Sequence, residues 1–303
     1  MKIRGAPIIG VAAAFGLALA AFSSKSGSKR GLVHDLKLSA NQLRLTRPTA
    51  VNLFWAIDRV LERVRCGDGD VETLKESVLD TALGLAEEDL RANLAIGRNG
   101  APLLDDGDVV LTHCNPGAFG TVGYGTALGI IKAAVESGKK VEVIATETRP
   151  MLQGARLTTF ELKSSGIPVK LVVDSAVGYV LAEGMIDKVL VGADRVLGDG
   201  SVINKVGTYM IAVLARENRV PFYVASPRST IDLKTGLKDV EVELRDEGEV
   251  LSFQGRRVAP EGIHALNPAF DITPPRYVTG IVTENGVVSA PYRRTLRRLF
   301  SRV

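Results

Sequence analysis

Two cysteines, Cys66 and Cys114, and three histidines are nearly all that 303 residues offer for soft metal ligation. Neither a Cys-x-x-Cys nor a His-x-x-x-His spacing occurs, so the sequence carries no zinc pattern and implies no metal. So few cysteines suit a reducing compartment better than a disulfide-stapled scaffold. An excess of one charge is also missing: 38 Lys and Arg stand against 34 Asp and Glu, a net charge of +4. That balance suits a small anionic ligand and is too weak to imply nucleic acid. No RNA-recognition, zinc-finger or basic-zipper pattern is present. The basic tail, with Arg293, Arg294, Arg297, Arg298 and Arg302, reads as a solvated end. Internal repeats and low-complexity segments are absent. What remains is ordinary globular composition, 46% hydrophobic and 24% charged, in a chain long enough for one large domain or two.

The N-terminus holds the one long apolar run. Lys2 and Arg4 precede an uncharged stretch from Ala6 to Phe22. Its composition fits a secretory signal peptide or a short membrane span. It fits a buried helix equally well, with Gly5-Ala6-Pro7 at the start and small residues that permit close packing. Beyond it, Ser23 to Arg30 reads as a surface loop. Thr46 is expected to cap a helix with Pro48 in its first turn. Val71 to Ile96 reads as a further helix, closed by Gly97-Arg98-Asn99-Gly100.

From about Asp105 short β-branched runs alternate with helical stretches. Strands are expected at Val109–Thr112, Val141–Thr146, Val169–Val173, Lys188–Gly192 and Pro221–Ala225. Helices are expected at Gly125–Ser137, Leu157–Ser165, Val177–Glu183 and Lys205–Glu217. Short apolar strands separated by helices imply right-handed crossovers and a parallel sheet. The fold class is therefore α/β: a Rossmann-like domain over residues 104–303, preceded by a smaller, mainly helical domain over 1–103. Ligands in such sheets bind at the carboxyl ends of the strands. Those ends carry His113-Cys114-Asn115, Glu147-Thr148-Arg149, Asp174-Ser175, Ala193-Asp194-Arg195 and Ser226-Pro227.

Cys114 stands between a strand and a glycine-rich turn, Asn115 to Gly125. A helix N-terminus after that turn would favour an anion and activate a nearby thiol; a buried, inert cysteine is the alternative. The turn has neither the dinucleotide fingerprint nor a Walker lysine. Asp194 ends an apolar strand, where a half-buried carboxyl with a raised pKa would serve as a general acid; a helix cap or a partner for Arg195 is the alternative. Asn204-Lys205, expected at a helix start, would hold a phosphate. Arg4 and Arg47 each precede a helix and are two further anion contacts.

The wording of these segments resembles the methylthioribose-1-phosphate isomerase family. The resemblance runs in order along nearly the whole chain: Ile3 to Gly16; Arg47-Pro48-Thr49-Ala50-Val51-Asn52-Leu53; Thr112-His113-Cys114-Asn115; Glu147 to Pro150 with Gln153 to Thr158; Gly192-Ala193-Asp194-Arg195 with Asn204-Lys205; and Asn267 to Pro275. That family is homologous to the regulatory subunits of the translation factor eIF2B and to archaeal ribose-1,5-bisphosphate isomerases. The Cys114 and Asp194 motifs favour an enzyme over a translation subunit, and Asn267 to Pro275 favours the methylthioribose branch. The resemblance implies Cys114 and Asp194 as the catalytic pair, with the aspartate as proton donor. It implies Arg4, Gly5, Ala6, Arg47, Gln153, Asn204 and Lys205 as substrate contacts. It also implies a cytoplasmic homodimer of methionine salvage, without a cofactor, a nucleic-acid partner or a membrane. Relatives carry a further segment before Arg-Gly-Ala-Pro, so the N-terminal domain is expected to be short at its start, and the apolar run becomes a core helix.

The implied reaction has a definite difficulty. Phosphate on the anomeric oxygen blocks spontaneous ring opening, so the enzyme must open the ring itself, with Asp194 donating to the ring oxygen. Hydrogen then moves from C2 to C1, either through an enol phosphate with Cys114 as base or by a direct hydride shift.

Overall fold

The structure is a computed structural model and describes residues 3, 5–47 and 50–300. Lys2, Arg4, Pro48, Thr49 and Arg302, named above, lie outside the described residues.

Four helices open the chain: α1 (Ala6–Ser23), α2 (Lys29–Thr46), α3 (Val51–Cys66) and α4 (Val71–Gly100). By length and composition α1 is apolar enough to cross a membrane. Here it packs against α2, α3 and α4, with Ala14, Leu17 and Ala21 fully buried. A helix apolar on nearly all sides suits such a central place. The sequence reading passed over α2, which Ser28 caps by accepting from the Gly31 amide at 3.2 Å. Thr46 does not cap the next helix: it ends α2, and its hydroxyl donates to the Leu43 carbonyl at 2.6 Å. Asp70 caps α4 through the Thr73 amide. The glycines expected to end α4 at Gly97 are still helical, because they are buried where α4 packs on α5 (Ala127–Glu136), and tertiary packing outweighs their weak helix propensity.

A seven-stranded sheet follows. Its centre is β1 (Val109–Thr112), flanked on one side by β2 (Glu142–Thr146) and β3 (Val169–Val172), and on the other by β4 (Lys188–Val191) and β7 (Phe222–Ala225). These five strands are the expected ones, shifted by at most a residue at an end, and all pair in parallel. Two more were not foreseen: β12 (Gly280–Thr283) extends the parallel set, and β13 (Gly286–Val288) closes the edge antiparallel. Alternation along each strand builds two cores. Leu111, Ile144, Val189, Val191, Val224 and Ile281 face the side of α7 (Val177–Ala182) and α8 (Thr208–Glu217). Val110, Val143, Leu190, Ala225 and Val282 face the side of α5 and α6 (Thr159–Ser164). This is the expected α/β class, with a helical N-terminal region before a mostly parallel sheet. The chain runs outward in opposite directions from β1, so the crevice of the switch point opens at Cys114.

A second, four-stranded sheet stands beside the first: β5 (Arg195–Leu197), β6 (Val202–Lys205), β8 (Ile231–Asp232) and β11 (Phe270–Thr273). It corrects the helix expected from Lys205. Asn204 and Lys205 end strand β6, whose four residues are all buried between β5 and β11, and α8 begins only at Thr208. Between β8 and β11 lie a short helix α9 (Gly248–Leu251) and a hairpin of β9 (Ser252–Phe253) and β10 (Arg256–Arg257). The last helix, α10 (Tyr292–Phe300), carries the expected basic tail, with Arg293, Arg294, Arg297 and Arg298 exposed.

Candidate active site

Cys114 leaves β1 in the left-handed region, at φ 61°, and Thr148 leaves β2 the same way, at φ 64°. For residues with a β-carbon this conformation costs on the order of 1 kcal/mol or more, and it persists only where the surroundings impose it. Here the two hold each other. The Cys114 amide donates to Thr148 Oγ1 at 2.9 Å, and Thr158 Oγ1 donates to the Cys114 carbonyl at 2.5 Å. Asp174, at the end of β3, accepts from the amides of Thr148 and Arg149, both at 2.7 Å. His113 is buried against Thr146 and Val206, and burial holds its pKa below the ordinary histidine value.

The glycine-rich turn differs from expectation. It contains a short 3-10 turn at Ala118–Gly120, and α5 starts only at Ala127. Its amides are already engaged by the protein's own carboxylate: Glu161 accepts from Ala118 at 2.8 Å, from Phe119 at 3.3 Å and from Asn115 Nδ2 at 2.9 Å, and pairs with Lys132 at 3.3 Å. The Ala118 and Phe119 amides are therefore not open to an anion. Asp89 on α4 fixes the far end of the turn by accepting from the Val122 amide at 2.8 Å.

Burial, opposed by the Val122 and Asn93 hydrogen bonds, pushes Asp89 up from 3.8 to about 6. Between these values the folded chain keeps a proton that the unfolded chain has released. The stability this carboxyl contributes is thus whole below about pH 4 and is lost as the pH rises through 6. Asp89→Asn keeps an acceptor for Val122 and removes the charge. It is expected to be more stable than the parent by about 1–2 kcal/mol at pH 8 and equal to it at pH 4, read from urea unfolding midpoints.

Eight of the residues that the sequence singled out line one cleft of about 510 Å³: Gly5, Ala6, Arg47, Cys114, Gln153, Asp194, Asn204 and Lys205. The volume suits a small ligand. Gly5 stands where α1 meets the glycine-rich turn, and a β-carbon there would overlap the Gly120 backbone. Gln153 precedes a π-helical turn (Gly154–Thr158), and its buried Oε1 has no hydrogen-bond partner among the described residues. Arg47 is buried, with Nη2 3.6 Å from Asp194 Oδ1 and Nε 3.6 Å from Glu243 Oε2. Lys205 donates to the Ala269 carbonyl at 2.8 Å, and Asn204 donates to Thr208 Oγ1 at 3.0 Å. The Arg47 and Lys205 cations both stand over the Phe270 ring, at 5.3 and 4.8 Å from its centroid. The neighbourhood of Asp194 is less apolar than expected, because a guanidinium faces it. Arg195 is not its partner but pairs with Asp232 at 3.8 Å.

Several residues of this arrangement escaped the sequence reading as functional groups. Thr146, Thr148 and Thr158 sit at strand ends or in quoted motifs, where they were legible as candidates. Glu243 and Arg245, paired at 3.1 Å, come from the segment between β8 and β11, which offered no motif.

The fold and the cleft define a Rossmann-like α/β protein with a cation-lined pocket at its switch point. The chain belongs to the Initiation factor 2 subunit family, whose model matches residues 2–290. It is 52% identical over 307 residues to the methylthioribose-1-phosphate isomerase of Geotalea uraniireducens, covering 100% of this chain and 88% of that one. The solved structure of the 5-methylthioribose 1-phosphate isomerase from Pyrococcus horikoshii superposes with a TM-score of 0.89 at 42% identity, over 99% of this chain and 85% of that one. A structure described as translation initiation factor eIF-2B, subunit delta, from A. fulgidus superposes at 0.85 with 47% identity, over 99% and 87%.

Proposed function

We propose that the protein is an isomerase converting 5-methylthioribose 1-phosphate to 5-methylthioribulose 1-phosphate in methionine salvage. The observation that carries this is the meeting of Cys114 and Asp194 with two buried cations, Arg47 and Lys205, in one cleft. In this reading Arg47, Lys205 and Asn204 hold the phosphate, and Gln153 offers its unpartnered oxygen to a sugar hydroxyl. The incoming phosphate competes with Asp194 for Arg47, leaving the carboxyl to face the ring.

Asp194 gives its proton to the ring oxygen as the bond from C1 to that oxygen breaks. The hydrogen on C2 then reaches C1 by one of two routes. Cys114 takes it as a proton, forming an enol phosphate to which the thiol then returns a proton at C1, or it moves as hydride; on either route the Asp194 carboxylate, left bare by the ring opening, takes the C2 hydroxyl proton. Both routes end in the C2 ketone, and the oxidation at C2 balances the reduction at C1.

The protein would act in the cytoplasm as a homodimer. Exposed Leu171 and Val173 on and beside edge strand β3, with Tyr179 and Phe160 nearby in sequence, favour self-association, which sedimentation would test. Similarity to a structure described as a translation-factor subunit favours a second, non-catalytic reading. A turnover assay with 5-methylthioribose 1-phosphate and ribose 1,5-bisphosphate separates the readings. We expect turnover of the first sugar; its absence with both would overturn the isomerase. A 5-phosphate would need further cations, and Arg245 is already held by Glu243 and Glu249.

Lys205→Met keeps the stem over Phe270 and removes the charge. We expect kcat/KM to fall about 10- to 100-fold, mostly through KM, as loss of a charged hydrogen bond implies.

A further inference from the structure

The most deeply buried titratable group of the cleft has no part in the chemistry above. His113 is 1% exposed, and both its ring nitrogens are used. Nε2 lies 2.9 Å from the Val206 carbonyl oxygen, and Nδ1 lies 2.6 Å from Thr146 Oγ1. Thr146 Oγ1 lies 3.2 Å from Thr148 Oγ1, which in turn accepts the Cys114 amide at 2.9 Å. The direction of every bond follows from its ends. A carbonyl only accepts, so Nε2 carries the hydrogen. Burial keeps the ring neutral, so Nδ1 is bare and accepts from the Thr146 hydroxyl. Thr146 oxygen is then open to the Thr148 hydroxyl proton, and Thr148 oxygen to the Cys114 N–H. The result is a one-way chain from the Cys114 N–H to the Val206 carbonyl, in which His113, Thr146 and Thr148 each donate once and accept once, the Thr148 hydroxyl having the Thr146 carbonyl, at 3.4 Å, as its more distant second acceptor.

The groups it ties together belong to three strand ends. Cys114 follows β1, Thr148 follows β2, and Val206 follows Asn204 and Lys205 on β6. Two of them, Cys114 and Thr148, carry a left-handed backbone that their side chains do not favour. A histidine that merely filled the core would not need to end on such residues.

We propose that His113 is the positioning residue for Cys114. The relay through Thr146 and Thr148 holds the cysteine backbone left-handed, so that its thiol stays in the cleft that Asp194 lines, while the other ring nitrogen fixes the turn behind Lys205. The inference rests on Cys114 being the working group of the isomerase proposed above.

Three variants test it. Thr148→Val keeps the shape and removes the hydroxyl; Thr148→Ser keeps the hydroxyl; His113→Phe keeps a ring without nitrogens. In Thr148→Val and His113→Phe, kcat for 5-methylthioribose 1-phosphate should fall about 30- to 100-fold, with KM within about threefold in Thr148→Val, the signature of a misplaced group, and raised in His113→Phe, which also frees the turn behind Lys205. Thr148→Ser should stay within about threefold of the parent in both.

A second measurement is independent of turnover: the rate of Cys114 alkylation by iodoacetate relative to iodoacetamide, resolved by peptide mass spectrometry. A thiol held among cations favours the anionic reagent. The ratio should drop in Thr148→Val toward that of the exposed Cys66 in the same chain and hold in Thr148→Ser.

A folded Thr148→Val protein with the parent's kcat and the parent's ratio overturns the proposal. So does a Thr148→Ser protein as impaired as Thr148→Val, or a loss confined to KM. If His113→Phe does not fold, the two Thr148 variants still decide. If the parent turns over neither sugar yet the ratio collapses only without the hydroxyl, the relay stands and the isomerase reading falls.

Discussion

Asp194→Asn is expected to lower kcat for 5-methylthioribose 1-phosphate by about 10²–10⁴-fold, the range that a positioned general acid contributes. The amide fills the same volume beside Arg47 but has no proton to give the ring oxygen. Cys114→Ser should fall by a similar factor, because a thiol can reach its anion near neutral pH and a serine hydroxyl cannot. Neither substitution changes packing: both side chains are only partly buried and stand at the cleft wall. Thermal midpoints should therefore stay within a few degrees of the parent, and circular dichroism should be unchanged. Near-normal kinetics in either purified variant would sink the assignment of that residue. The route is read separately, by running the reaction in deuterated water. Label at C1 of the product marks the enol phosphate path, and full retention of the original hydrogen marks the hydride shift.

These expectations draw on features that differ in how visible they were in the sequence. The parallel sheet was legible because its central strands are short apolar runs buried on both faces. Val109–Thr112 and Lys188–Val191 allow no other reading once helices flank them. The rule that ligands bind at the carboxyl ends of parallel strands then placed Cys114 and Asp194 among five candidate strand ends before any contact was known. Less legible was whatever tertiary packing decided. Asn204 and Lys205 are polar residues at the end of Val202-Ile203, and only the pairing of β6 with β5 and β11 makes that segment a strand. The helix start after the glycine-rich turn looked open to an anion, yet the helix begins later than expected and Glu161, some forty residues on, occupies the Ala118 and Phe119 amides of the turn. No local pattern announces such a contact. The same holds for Glu243, which shares Arg47 with Asp194 from a segment of irregular chain. Arg47 itself was legible as a cation before a helix, but its place between two carboxylates was not.

Gly154→Ala is expected to be the most damaging single methyl in the Rossmann-like region. Gly154 opens the π-helical turn that follows Gln153, and its α-carbon lies against the end of β2. A β-carbon there would overlap the Thr146 carbonyl oxygen and meet Thr148 Oγ1 at 3.0 Å. The first neighbour is sheet backbone and cannot rotate away, so the turn itself must move. Overpacking of this kind costs about 1–3 kcal/mol, and more when backbone must shift. For a chain of this size each kcal/mol lowers the melting temperature by about 2–4 °C, so a fall of about 5–10 °C is the expected result. The damage should also reach chemistry, because the displaced atoms are the ones that hold Cys114. Thr148 would separate from the cysteine amide, and Gln153 would swing with the turn. We therefore expect the folded fraction, assayed well below its melting temperature, to keep less than about a tenth of the parent's kcat, on the scale that small displacements of positioned groups impose. A variant that melts with the parent would show that the turn has slack that the packing of Gly154 against β2 does not suggest.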